Sequence, residues 1–182
     1  MLTIIMPDND IISELEVAKM IESCDELRFK AMIATLWATG HRISEILDLK
    51  TTDIYSDKKW IYFTFNVLKR KKKENGERTN YIHTIKVPRE LSFTEYILLW
   101  KDECKEEMLF DFTRQYAFLI IKRLNPAVHP HQFRHTLATK FAERGANKYE
   151  MDAWFGWTGW GTSDKYVQKG TALIENIANR MR

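Results

Sequence analysis

Between Trp60 and Val87 the chain changes its hydrophobic period. Ile61, Phe63, Phe65 and Val67 alternate with Tyr62, Thr64 and Asn66, the period-two pattern of a strand with one buried face. Tyr81 to Val87 alternates in the same way, and Asn75-Gly76 between the runs suits the positive φ angles of a tight hairpin turn. The other periodic segments follow helical spacing. The chain is therefore expected to be mainly α within an α+β class, a helical domain carrying a small antiparallel β-sheet.

The helical segments are marked by their caps. Ser13 with Glu16 makes a capping box ahead of Val17, Met20, Ile21 and Cys24. Phe29, Ile33, Leu36 and Trp37 share one face of a helix ending at Gly40, after which "HRISEILDL" resumes helical spacing. Ser92 with Glu95 reads as a second capping box before Tyr96, Ile97 and Trp100, with Phe93 on the same buried stripe. Ala117, Ile120, Ile121 and Leu124 form another stripe, closed by Asn125-Pro126. Phe133, Leu137 and Phe141 follow, with Gly145 as a left-handed stop. Gly156, Gly159 and Gly161 interrupt the pattern before a helix expected near Ser163 that contains Tyr166, and Ile174, Ile177, Ala178 and Met181 mark a last amphipathic segment. With no repeat, low-complexity stretch or linker, residues 1–182 read as one domain.

Composition excludes several classes. No apolar run approaches the roughly 18 residues that span a bilayer, and "MLTIIMPDND" lacks the basic start of a signal peptide, so a cytoplasmic protein without a membrane partner is expected. Cys24 and Cys104 are isolated and suggest neither a disulfide framework nor a zinc site. The net charge of +3 conceals an asymmetry: residues 1–26 hold seven acids against one lysine, leaving a basic body. Lys69 to Arg78, "KRKKKENGER", has six basic residues and two acidic ones at the expected hairpin tip. Such a run suits a polyanion, although a solvated loop has the same composition.

The helix after His129 also carries His131, Arg134 and His135. His131 and Arg134 are three apart and share a helix face, so an imidazole and a guanidinium can meet one anion such as a phosphate. A metal site built from His129, His131 and His135 is disfavoured, because neither a nearby cysteine nor an H-E-x-x-H spacing completes it.

Three stretches, "ATGHRISEIL", "HPHQFRHTLAT" and "FGWTGWGTSDKY", occur in that order. Together they resemble the boxes of the tyrosine recombinase, or phage integrase, family. The first box, T-G-x-R-x-S-E-hydrophobic, is met by Thr39, Gly40, Arg42, Ser44, Glu45 and Ile46. The second, a histidine, two residues, then Arg-His-Thr, is met by His131, Arg134, His135 and Thr136. The third, glycine with His or Trp and then a tyrosine, is met by Gly156, Trp157 and Tyr166. Trp157 stands where histidine is commoner in the family, a replacement that active members tolerate. The resemblance runs from about residue 10 to 170.

The resemblance implies a site-specific recombinase whose nucleophile, Tyr166, forms a 3'-phosphotyrosyl bond with DNA and frees a 5'-hydroxyl. A phenol of pKa about 10 is ionised roughly one part in a thousand at pH 7, a deficit of roughly 4 kcal/mol that the site must offset. Arg42 and Arg134 are expected to clamp the non-bridging phosphate oxygens, and His131 to accept or relay the phenol proton. The lysine that protonates the leaving oxygen is placed at Lys69, directly after the strand, with Lys71 and Lys72 as competitors. Trp157 is expected to donate its indole N–H to the phosphate or to buttress the helix of Tyr166. Glu45 either orients Arg42 or a neighbour, or forms a plain helix ion pair, and His135 is expected behind the reacting groups. Lys69, Arg70, Lys71, Lys72, Lys73 and Arg78 are the expected DNA-binding cations of the hairpin.

One phosphate ester replaces another in this scheme, so neither metal, ATP nor another cofactor is implied. The implied partner is double-stranded DNA, with self-association on it during synapsis. The family's usual N-terminal helical domain has no room in this chain, which reads as a catalytic fragment ahead of a minimal enzyme. Residues 171–182 would pack in cis or on a neighbouring protomer. A mobile-element integrase is taken ahead of a chromosome-dimer resolvase. The alternatives are a type IB topoisomerase-like relaxing enzyme and a non-catalytic DNA-binding module of the same fold.

Overall fold

A computed structural model describes residues 11–72 and 78–157, with only the backbone described for 67–72 and 78–81. Among them are seven α-helices and one three-stranded antiparallel sheet of order β1-β2-β3. The helices are α1 (Glu14–Glu22), α2 (Leu27–Thr39), α3 (Ile43–Leu47), α4 (Thr94–Glu103), α5 (Arg114–Leu124), α6 (Pro130–Glu143) and α7 (Lys148–Phe155). The strands are β1 (Ile54–Ser56), β2 (Trp60–Lys72) and β3 (Arg78–Pro88).

Helix α2 is the hub. It is buried on every face from Ala31 to Thr39, buries ten residues from Phe29 to Thr39, and packs against α1, α4 and α6. It ends where Gly40 takes the left-handed conformation at φ 62°, which turns the chain directly into the short helix α3. A Cβ on Gly40 would lie 3.0 Å from Leu137 Cδ2 and 3.0 Å from Phe155 Cε1, so α6 and α7 close in because the side chain is missing. Gly40→Ala is accordingly expected to destabilise the fold by at least about 1–2 kcal/mol from the left-handed backbone alone. A urea titration would read this as a lower midpoint at unchanged slope.

The sheet places Ile61, Phe63 and Phe65 of β2 against the core, opposite Val87, Ile85 and His83 of β3. A second, smaller cluster joins α6 to α7 through Ala138, Ala142, Met151 and Phe155, with Leu137, Phe141, Trp154 and Trp157 packed around it.

Four expectations are corrected. β2 continues to Lys72 and β3 begins at Arg78, so Lys69 lies within β2 rather than after its end. The ladder is irregular between Leu68 and Lys72, where the alternation that marked the strand stops. The Ser92–Glu95 capping box does not form, because Ser92 bonds Glu14 of α1 instead. Helix α4 starts at Thr94, whose hydroxyl donates within the turn to Leu91 and Arg89 carbonyls, behind Phe93 at φ 72°. The segment "HRISEILDL" is helical only over five residues. β1 and α7 were not anticipated: β1 is three residues long, and α7 is announced only by the Asn147–Glu150 capping box. The Asn75-Gly76 turn, the helix expected near Ser163 and the final amphipathic segment lie outside the described residues.

Candidate active site

Arg42, His131 and Arg134 come to one cleft of about 550 Å³, at the junction of α3, α5 and α6. Arg42 stands immediately before α3, where the Gly40 turn leaves its side chain 37% exposed. Glu45 binds it twice. One carboxylate oxygen accepts from Arg42 Nη1 at 2.7 Å and the other from the Arg42 backbone N–H at 2.8 Å, so the acid both caps α3 and orients the guanidinium.

Arg134 is almost completely buried, at 3% exposure. A buried guanidinium needs acceptors, and two helix ends supply them. Its Nη1 donates to the Gly40 carbonyl at the end of α2 (3.3 Å), and its Nη2 to the Phe155 carbonyl at the end of α7 (3.1 Å). Both carbonyls lie at C-terminal, negative helix ends, where a cation is favoured. The Phe155 and Trp157 rings, stacked at 4.7 Å, lie 4.8 and 5.1 Å from the guanidinium carbon. Glu45 is 3.8 Å away, so a single carboxylate is shared between the two arginines. That sharing exceeds the plain i,i+3 helix pair that spacing alone allowed.

His131 lies one helix turn before Arg134 but is exposed on the cleft wall. Desolvation on its inner side, followed by the fields of Arg134, Arg42, His129 and His135, lowers its pKa from the ordinary 6.5. His135 is not among the residues lining the cleft, and its Nδ1 is 3.4 Å from the Thr139 hydroxyl. Trp157 sits beside Arg134, packed on Phe155.

Spacing did not single out three further cleft residues. Arg114, Phe118 and Lys122 form an i, i+4, i+8 stripe on α5 and line the cleft with His129. The signal was present, since they recur every four residues along one edge of the buried Ala117, Ile120 and Ile121 stripe. Four cations and no carboxylate line the cleft among the described residues. No three metal-ligating side chains gather among those residues, the three histidines of α6 and its cap included. Nor is any described helix long and apolar enough to cross a membrane. Tyr166 and Lys73 lie outside the described residues, as do the side chains of Lys69, Arg70, Lys71, Lys72 and Arg78.

A mostly helical domain with a small three-stranded antiparallel sheet is the fold of tyrosine recombinase catalytic domains. It matches the catalytic domain of bacteriophage HP1 integrase (TM-score 0.59, 18% identity, 93% of each chain). It also matches the XerH site-specific recombinase in its post-cleavage complex with difH (TM-score 0.69, 19% identity, 92% of this chain and 52% of that one). At residues 10–172 the sequence fits the phage integrase family, and the chain belongs to that family. Among its relatives are tyrosine recombinase XerA of Pyrococcus horikoshii, 26% identical over 94% of this chain and 61% of the relative. Another is XerD of Rickettsia bellii, 30% identical over 79% of this chain and 52% of the relative. The chain thus spans roughly half to three-fifths of the length of the relatives it matches.

Proposed function

We propose that this chain is the catalytic domain of a site-specific DNA recombinase that breaks and rejoins DNA through a 3'-phosphotyrosyl intermediate on Tyr166. The carrying observation is the cleft where Arg42 and Arg134 share Glu45 and His131 stands on the wall, the one nearby carboxylate being engaged by the two arginines and absent from the cleft lining. A phosphodiester there meets Arg42 first, because that guanidinium is partly exposed, while the buried charge of Arg134 adds to the field from below. Both lie in place before substrate arrives, so no reorganisation is needed as negative charge builds on the transition state. His131 takes the phenol proton, and Lys69, Lys71 or Lys72 supplies one to the departing 5'-oxygen. Arg114 and Lys122, on the same cleft, extend the cationic surface along the duplex, with Phe118 as an apolar contact between them. The hairpin cations Lys69 to Lys73 and Arg78 add a second strip. XerH in its difH complex and lambda integrase in dimer and tetramer complexes are protein–DNA assemblies, which favours a DNA partner and self-association here.

The deciding experiment is a suicide duplex whose nicked strand diffuses away after cleavage. Wild-type protein is expected to retain labelled DNA in a denaturing gel, and absence of any adduct across candidate core sites overturns the reading. A relaxing enzyme of type IB would instead relax plasmid without a second site.

The lowered pKa of His131 sets a pH dependence. A base works in its neutral form, and partial desolvation beside two arginines keeps His131 neutral to lower pH than a free imidazole. The acid limb of kcat/KM for cleavage is therefore expected with its midpoint below pH 6.5, the ordinary value. A midpoint at or above that pH excludes His131 as the base.

A further inference from the structure

Two histidines that none of the three boxes specifies sit at the inner wall of the arginine cleft, which His41 helps to line. His41, between Gly40 and Arg42, is completely buried, and its ring stacks on Phe65 of β2 at 3.8 Å and 7°. The ring of His83, on β3 opposite Phe65, lies 5.6 Å from it. His41 Nδ1 is 3.2 Å from the Thr39 carbonyl, which also accepts from the Trp154 indole N–H at 2.9 Å. His83 Nε2 is 2.8 Å from the Trp154 carbonyl. Carbonyls only accept, so the protons sit on Nδ1 of His41 and Nε2 of His83. These contacts close a ring through the end of α2, the sheet and the end of α7.

The ring of contacts is not explained by packing. His41 Nε2 is buried with no hydrogen-bond partner among the described residues. Phenylalanine would stack on Phe65 without that orphaned nitrogen, so a core selected only for stability has no use for the imidazole. Burial, then Arg134, oppose a proton there and keep the ring neutral. The other end of the link matters as well. The Trp154 and Phe155 carbonyls are adjacent at the end of α7, where helical partners run out; His83 takes the first and Arg134 the second. Two residues later the chain leaves through Gly156 at φ 63° and Trp157, on the way to Tyr166.

We propose that His41 and His83 are a positioning pair that locks the β2–β3 hairpin to the end of α7, so that the seat of the hairpin sets how Arg134 and the exit of α7 at Gly156 and Trp157 are held. The catalytic half of this inference rests on the recombinase reading above; the mechanical half does not. His83→Phe keeps a ring but removes the donor, whereas His83→Gln puts an amide N–H within similar reach of the Trp154 carbonyl. His41→Phe keeps the stack and removes both the Thr39 bond and the orphan.

In the DNA-free chain, His83→Phe is expected to speed amide exchange of Gly156 and Trp157, whose N–H groups bond the Asp152 carbonyl, and His83→Gln to restore protection. On the suicide duplex, His83→Phe should form adduct roughly 10- to 100-fold more slowly at DNA affinity within about twofold of wild type, with recovery in His83→Gln. His41→Phe should melt no lower than wild type yet form adduct more slowly, a split that a purely structural role would not give. Unchanged exchange at Gly156 and Trp157 in His83→Phe, failure of glutamine to restore it, or a wild-type adduct rate in folded His41→Phe overturns the pair. If wild-type protein makes no adduct at all, the recombinase reading fails while the exchange data still decide the link.

Discussion

Tyr166→Phe is expected to abolish the covalent protein–DNA adduct while leaving DNA affinity and melting temperature at wild-type values. The substitution removes one oxygen and keeps the aromatic ring. Under the proposed function, affinity is expected from phosphate contacts by Arg42, Arg114, Lys122 and the hairpin cations, none of which the substitution alters. Chemistry, in contrast, has no substitute for the phenol oxygen, because the tyrosine and the phosphate must form the bond themselves. The measurement is the suicide-duplex gel, followed by mass mapping of the linked peptide. Tyr149 on α7 is 81% exposed and is the natural control, since an adduct that survives in Tyr166→Phe and maps to Tyr149 removes the proposed nucleophile.

Arg134→Met is expected to lose both activity and stability, an outcome that separates Arg134 from the partly exposed Arg42. Methionine fills a similar volume, but the Gly40 and Phe155 carbonyls at the ends of α2 and α7 lose their donor and Glu45 keeps only Arg42. Two buried acceptors without partners and a half-neutralised carboxylate cost about 3 kcal/mol, a large share of the 5–15 kcal/mol that holds a domain together. Catalysis should fall by roughly 10²–10³-fold or more in whatever fraction remains folded, the usual effect of removing one donor aimed at a developing oxyanion. Arg134→Lys is the discriminating companion. It keeps the charge beside Glu45, but a single ammonium cannot span carbonyls that belong to two different helices with a planar fork. We expect part of the stability to return in urea titrations and little of the cleavage rate. A fully active lysine variant would show that charge alone suffices and that bridging the two helix ends is incidental.

Glu45 connects these effects to Arg42. It is buried, receives the backbone N–H and a guanidinium N–H of Arg42, and faces Arg134 from 3.8 Å. The same residue type and spacing would appear in any solvated helix pair, and the distinction is one of surroundings. In water such a pair contributes little; with Arg134 behind it, Glu45 offsets the repulsion of two guanidinium groups that line one cleft.

Some features were legible because their causes act within a few residues. The Ser13–Glu16 box, the helix stop at Gly40 and the alternation of Ile61, Phe63 and Phe65 each reflect a turn of helix or a pleat, and the corresponding elements are present. The Ser92–Glu95 box failed for the complementary reason: its pattern was right, but Glu14, from a distant helix, took the serine. The short strand β1 carries too few residues for a period to show, and it exists because β2 offers it a ladder. Lys69 was placed after the strand because alternation ends there, whereas pairing with β3 extends β2 to Lys72.

The site divides along the same line. The residue types and their order, Arg42 with Glu45, then His131 with Arg134, then Trp157 and Tyr166, were set in the sequence and pointed to phosphoryl chemistry on DNA. That Arg134 is buried across the ends of α2 and α7, that Arg114 and Lys122 share its cleft, and that His41 and His83 back it were decided only by tertiary structure. The bond from Arg134 to Gly40 spans 94 residues of chain, and no local period or cap records a partner at that distance. A guanidinium taken out of water must find acceptors, and which carbonyls lie within reach depends on how the helices pack.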